Sequence, residues 1–115
     1  MGVLGEVTSP YSVVLTTVAS AEDAQRIAGK VLDDQLAAGV QMLSIKSVYT
    51  WKNARVDSDE VLLLIMTREE LYPKLERAIV SVHKYETPEI LLLPVEKGLP
   101  AYLSWIDEVT RPGHD

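Results

Sequence analysis

The stretch EVLLLIMTREELYPKLERAIVSVHKYETPEILLLP, residues 60–94, contains three predicted elements in succession and decides the fold. Its apolar run over residues 60–67 does not alternate and is typical of a buried strand. A helix follows, with its first turn at Tyr72–Pro73, because proline is accepted in a first turn and breaks a helix further in. Its apolar side chains recur at helical spacing: Leu71, Leu75, Ala78, Ile79 and Val82. Residues 89–93 predict another strand, which ends at Pro94 because proline cannot donate to a ladder.

The residues before this stretch predict a strand, a helix and a second long strand. Residues 11–19 are β-branched and apolar, as in a strand that is covered on both faces. Residues 20–39 have apolar side chains at helical spacing, with Ser20 as the N-cap and Gly39 as the end of the helix. Residues 40–51 alternate between apolar and polar, so this strand and the buried strand after it are predicted to form one long hairpin.

The order β-α-β-β-α-β predicts an α+β protein with a ferredoxin-like split β-α-β sheet and both helices on one face. A third, terminal helix is expected after Gly98, with Pro100 in its first turn and three side chains facing inward, namely Tyr102, Leu103 and Ile106. The other face of the sheet would expose apolar strands, and large exposed apolar patches mark interfaces. We therefore expect the chain to associate with copies of itself in a small closed ring.

The composition is that of a single domain without the marks of nucleic-acid or membrane binding. The chain has 115 residues, a formal net charge of −6 and no cysteine. We expect a flexible N-terminal tail over residues 1–10, one domain over residues 11–110 and a C-terminal tail over residues 111–115. No basic run is present to displace counterions from phosphates, so nucleic acid is a poor partner. Without an apolar span of about 20 residues or a signal-peptide pattern, we expect a cytoplasmic protein that does not bind membranes.

Four residues have side chains that could bind a ligand or take part in proton transfer. His83 lies where the second helix should end, so it can serve the helix C-terminus or act as a metal or proton-transfer group. Tyr49 and Trp51 lie on a predicted strand, where aromatic residues more often pack than stack on a ligand. Glu60 opens an apolar strand, and a carboxylate that is buried there needs a partner.

Several segments resemble the CutA family of divalent-cation tolerance proteins in order and spacing. They are LDDQLAAGVQ, SVYTWKN, DEVLLLIMTREELYPKLERAIVSVHKYETPEILLLPVEKG and YLSWI, and the resemblance covers about residues 11–109. It implies a trimer of ferredoxin-like subunits whose extended hairpins pair across subunits, as in the PII signalling proteins. It also implies copper or other divalent cations as ligands, in a cleft between subunits that is lined by Tyr49, Trp51, Glu60, His83 and Tyr85.

The sequence departs from the family pattern at the cleft. Neither Thr16 nor Gly39 is the cysteine that some relatives have there, so soft metals lose their thiolate ligands. We therefore expect His83 and Glu60 to bind Zn, Ni or Cu(II) in preference to Cu(I), with no cofactor required. Met66 stands where the family usually has a lysine, so a cationic partner for Glu60 is missing. Lys84 stands where the family usually has a proline and can place a cation at the edge of the cleft. The hairpin tip KNAR lacks the usual glycine.

Three classes of function are compatible with these features. The expected one is a binding or signalling homotrimer in which clefts between subunits hold a divalent cation or a small ligand. The alternative is a structural or partner-docking trimer without ligand chemistry. An enzyme, with Glu60 and His83 as acid and base, is not expected, because the sequence has no Ser-His-Asp order, glycine-rich phosphate loop or paired-carboxylate motif.

Overall fold

The computed structural model describes residues 9–111 and contains the predicted elements in the predicted order. They are β1 (Tyr11–Val18), α1 (Ala21–Asp33), β2 (Gly39–Trp51), β3 (Ala54–Arg68), α2 (Tyr72–Val82), β4 (Ile90–Pro94) and α3 (Pro100–Thr110), with a 3₁₀ turn, Glu69–Leu71, before α2. The α+β prediction with its long β2–β3 hairpin and terminal helix is confirmed. Residues 1–8 and 112–115, which make up most of the two predicted tails, lie outside the described residues, so the tail boundaries stay predictions.

The four strands form one antiparallel sheet in the order β2-β3-β1-β4. Both α1 and α2 pack on the same face of this sheet, and the core lies between the helices and the sheet. The side chains of Val14, Leu63 and Ile65 from the strands are fully buried there against Ile27 of α1 and Ile79 of α2. Burial of each large apolar side chain stabilises the folded chain by about 1.5 to 3 kcal/mol. This layer therefore dominates the stability of the chain.

Helix α1 ends at Asp33, so the predicted end at Gly39 is wrong. The N–H of Gln35 donates to the carbonyl of Leu32 at 3.0 Å, and the N–H of Leu36 donates to the carbonyl of Val31 at 2.9 Å. This pair of bonds is a Schellman motif, which requires Gln35 to take a left-handed conformation with φ of 55°. Gly39 instead begins β2, opposite Met66 of β3.

The hairpin tip closes without glycine in a two-residue turn. Trp51 pairs with Ala54, and the two residues between them, Lys52 and Asn53, have φ of 51° and 66°. Two consecutive left-handed residues are the signature of a type I′ turn, whose twist matches the strands that it joins. The β2–β3 register from Gly39 to Trp51 is continuous, so side chains alternate between the two faces along the whole hairpin.

The sheet face opposite α1 and α2 is only partly covered. Three leucines on it, Leu43, Leu91 and Leu93, are 51%, 53% and 49% exposed. Helix α3 packs against β3 through buried Ile106, and Arg68 at the end of β3 donates to the Thr110 hydroxyl at 2.8 Å. Tyr102 was expected to face inward, but in the single chain it is exposed and lies against Trp105, with ring centroids 5.3 Å apart.

Candidate ligand-binding site

The hairpin places three of the predicted site residues on one face of the sheet. Leu63 and Ile65 of β3 point into the core, so Glu60, at the other parity, points to the opposite face. Glu60 pairs with Ile45 of β2, and residues that pair directly share a face. Side chains alternate between the two faces along a strand, so Tyr49 and Trp51, four and six residues after Ile45 on β2, lie on the face that carries Glu60.

The segment after α2 brings His83 and Tyr85 close to Glu60. His83 is the C-cap of α2, and its backbone N–H donates to the carbonyl of Ile79 at 2.9 Å. Its ring leaves the helix: Nε2 lies 2.9 Å from the carbonyl oxygen of Thr17 in β1, and Nδ1 accepts the backbone N–H of Tyr85 at 3.1 Å. Both ring nitrogens therefore have partners within the chain.

Tyr85 connects this segment to the hairpin. Its hydroxyl donates to Oε2 of Glu60 at 2.7 Å, and its ring centroid lies 4.9 Å from that of His83. Burial raises the pKa of the Tyr85 phenol, and the hydrogen bond to Glu60 raises it further, so the phenol stays protonated as a donor at neutral pH. The structure thus brings Glu60, His83 and Tyr85 together within one chain.

Glu60 is a buried carboxylate without a cationic partner among residues 9–111. It is 6% exposed, and its one hydrogen-bond partner in this range is Tyr85. Every lysine near the site pairs with another carboxylate: Lys46 with Asp59 at 2.8 Å, Lys84 with Asp23 at 3.0 Å, and Lys52 with Glu86 at 3.7 Å. Lys84 therefore does not restore a cation to Glu60.

Asp23, at the start of α1, holds Lys84 in place. Its carboxylate accepts from Arg26 at 2.6 Å and lies 3.0 Å from Lys84, and its backbone N–H donates to the N-cap hydroxyl of Ser20. The hydrogen bonds from Arg26 and Lys84 lower the pKa of Asp23 to about 2. The carboxylate is ionised at neutral pH and forms an ion pair between α1 and Lys84 of the His83–Tyr85 segment.

An open groove of about 520 Å³ lies beside Glu60, between the start of α1 and the hairpin. Its walls are three short segments: Ala19, Ser20 and Ala21; Ser44, Ile45 and Lys46; and Asp59, Glu60 and Val61. Glu60 is the predicted site residue in this lining. Sequence reasoning missed Ser20, Lys46 and Asp59, and the one signal that pointed toward them was the N-cap assigned to Ser20.

The side-chain donors of residues 9–111 do not form a transition-metal centre within one chain. In the described range no group of three or more histidine, cysteine, aspartate or glutamate side chains converges. Carboxylate and imidazole suit Zn, Ni and Cu(II), but the His83 lone pair accepts the N–H of Tyr85. One oxygen of Glu60 is hydrogen-bonded to Tyr85 as well, which leaves Oε1 as the donor nearest to an arriving ligand.

From residue 9 to residue 111, no helix has the length and apolar character needed to cross a membrane.

The comparisons with known proteins agree with one another. A family model described as "CutA1 divalent ion tolerance protein" matches residues 12–109. Mouse "Protein CutA" is 39% identical over 108 residues, which cover 93% of this chain and 61% of the mouse protein. The "Divalent-cation tolerance protein CutA" of Thermus thermophilus is 39% identical over 99 residues, or 85% of this chain and 96% of the relative. A solved structure, the "Periplasmic divalent cation tolerance protein CutA" from Archaeoglobus fulgidus, has a TM-score of 0.86 at 34% identity, over 88% of this chain and 99% of that one.

Proposed function

The chain belongs to the CutA1 divalent ion tolerance family, and from this premise we propose that it forms a homotrimer that binds a divalent cation or a small cationic ligand at Glu60. In this proposal Glu60 supplies the charge, and Tyr49, Trp51, His83 and Tyr85 line the cleft around it. The relatives are named as tolerance proteins and not as enzymes, and the proposal assigns no catalytic residue. A cytoplasmic location belongs to the proposal too; the Archaeoglobus relative is described as periplasmic.

The observation that carries the proposal is the burial of Glu60 without a cation. A carboxylate removed from water costs several kcal/mol unless hydrogen bonds and an opposite charge compensate it. The Tyr85 hydroxyl compensates one oxygen, and among the described residues no lysine or arginine reaches the other. A cation that enters the groove from solvent supplies the missing compensation.

The uncovered sheet face supports the trimer. Leu43, Leu91 and Leu93 present apolar surface on β2 and β4, the two edge strands of the sheet. The β2 edge is 13 residues long, and an edge of that length readily pairs with another chain. Pairing of hairpins between subunits would cover both the leucines and the edge, and would bring a neighbour's side chains to the groove at Glu60.

Native mass spectrometry tests the proposal directly. Protein purified from cells and sprayed under native conditions should have the mass of a trimer and carry co-purified ligand or metal. Calorimetric titration of the trimer with Zn²⁺ should then give a binding isotherm that Glu60→Gln weakens by about 10-fold or more, since the substitution removes the charge of a buried carboxylate that lines the groove. A concentration-independent monomer would rule out the cleft, and equal affinity in the variant would remove Glu60 as the ligand.

A structural or partner-docking trimer is the second candidate. It is favoured by the hydrogen bonds that already occupy His83 and Tyr85, because side chains that are satisfied within the chain need no ligand. The two candidates differ in one measurement. If the purified trimer carries no extra mass and Zn²⁺ binds no better to wild type than to Glu60→Gln, the docking function is the better account.

A further inference from the structure

The two hydrogen bonds of the His83 ring select one tautomer of the imidazole. The carbonyl oxygen of Thr17 can only accept, so Nε2, which lies 2.9 Å from it, must carry the proton. The backbone N–H of Tyr85 can only donate, so Nδ1 must offer its lone pair. The neutral Nε2–H tautomer satisfies both partners, and every other form places two donors or two acceptors face to face.

The bond from Tyr85 N–H to His83 Nδ1 spans two residues, like the turn that an asparagine side chain makes with the backbone N–H two positions on. It fixes the backbone of Tyr85, while the other ring nitrogen anchors the segment to β1. From that anchored position the Tyr85 hydroxyl reaches Glu60 on β3. A continuous set of hydrogen bonds therefore leads from β1 through His83 and Tyr85 to the carboxylate.

We infer that His83 is a positioning residue that holds Tyr85 against Glu60, and that it is not a metal ligand. The inference deepens the proposed function and rests on it for the role of Glu60. With Oε2 fixed by Tyr85, Oε1 is the oxygen that points its charge at a ligand, and His83 acts on that ligand only through Tyr85. Outer hydrogen-bond partners of this kind are worth about 10- to 100-fold in metal affinity.

Lys84 does not replace this anchor. It lies between His83 and Tyr85 and pairs with Asp23, but its side chain is 65% exposed. Exposed ion pairs contribute little, because water and salt screen them. The segment is therefore held mainly by the hydrogen bonds of His83, and a side chain that makes neither bond should release Tyr85 while the Asp23 pair remains.

Nitrogen-15 NMR of the histidine rings tests the inference on the intact trimer. In metal-free protein, His83 should give a protonated Nε2 and an unprotonated, hydrogen-bonded Nδ1, and both signals should stay in place on saturation with Zn²⁺. His83→Asn identifies the signals by their loss, since His114 is the other histidine of the chain. A large displacement of the unprotonated nitrogen by Zn²⁺, or a proton on Nδ1, would overturn the inference.

Zn²⁺ affinity in paired variants separates positioning from ligation. His83→Asn keeps an acceptor for the Tyr85 N–H and should retain affinity within about 3-fold, whereas His83→Ala should lose about 10-fold or more. Tyr85→Phe should lose a similar factor as His83→Ala, because both release the same carboxylate. Equal losses in His83→Asn and His83→Ala, together with displacement of the His83 Nδ1 signal by Zn²⁺, would make the imidazole itself the ligand. If wild type binds no Zn²⁺ at all, the proposed function fails, and the spectrum of metal-free protein alone decides the role of His83.

Discussion

The Tyr85 hydroxyl and the Glu60 carboxylate form a 2.7 Å hydrogen bond within one chain, between the segment after α2 and the third strand. The family resemblance implied that both side chains line a cleft between subunits. The contact between these two side chains lies within a single chain. No second chain is therefore needed to orient Glu60, and in the proposed trimer a neighbour would add further donors to the groove.

Removal of the Tyr85 hydroxyl should destabilise the protein. Tyr85→Phe leaves Oε2 of buried Glu60 without a donor, and such a loss costs about 1 to 3 kcal/mol. Urea unfolding at a fixed protein concentration measures the change. The double variant Tyr85→Phe with Glu60→Gln should be less destabilised than the sum of the two single variants, whereas strict additivity would mean that the bond contributes nothing.

Helix α1 should gain stability from two opposite substitutions. Gly29 is exposed within the helix and a Cβ there meets no atom within 4 Å, so Gly29→Ala should stabilise by about 0.5 to 1 kcal/mol. Gln35 has a positive φ, so Gln35→Gly should stabilise by about 1 kcal/mol. Thermal unfolding measures both, and Gln35→Ala is the control that keeps the strained Cβ. A stabilised Gln35→Ala would contradict the Schellman assignment.

The hairpin tip should respond in the same way. Asn53 occupies the second left-handed position of the type I′ turn, where glycine is preferred. Asn53→Gly should raise stability by a few tenths to about 1 kcal/mol, with less gain than at Gln35 because asparagine tolerates this conformation. Asn53→Val should lower it, since a β-branched residue is strained at positive φ. Equal stability of the three proteins would show that the tip frays in solution.

Stability should fall with acid through Asp23. Its pKa of about 2 in the folded chain lies below the ordinary value of 3.8, so its contribution is full above pH 4 and is lost as the pH falls toward 2. Asp23→Asn should therefore unfold at a lower temperature than wild type at pH 7, and the two should converge near pH 2. Arg26 and Lys84, the charged partners, keep their charge throughout. A difference that does not change with pH would assign the effect to packing.

Assembly should depend on the uncovered sheet face and not on the outer helices. Leu91→Lys places a charge among the exposed leucines of this face and should shift the trimer toward monomer. Val80 of α2 is also 53% exposed but lies on the helix layer, so Val80→Lys is the matched control and should leave assembly intact. Sedimentation velocity gives the masses. A Leu91→Lys trimer as stable as wild type would place the interface elsewhere.

The sequence by itself determined the element order, the helix-facing core and the family. Apolar spacing along the chain reports how each segment divides between water and the interior, and that division is local. Leu75 and Ile79 therefore predicted the buried stripe of α2, and Pro73 predicted its first turn. The unalternating run of β3 predicted a strand with helices on one face and apolar surface on the other, where Glu60 and Leu64 lie.

Only the tertiary structure decided the partners of the polar side chains. His83 forms a hydrogen bond with Thr17, which is 66 residues away in sequence, and Lys84 forms an ion pair with Asp23 and not with Glu60. Such choices depend on the distances between segments that meet only after folding, and no spacing along the chain encodes them. The same holds for Gln35, where a bond pattern forced a conformation that its residue type does not favour. The groove lacks a sequence signature for the same reason, since its three walls come from separate elements whose docking brings Glu60 beside Ser20 and Lys46.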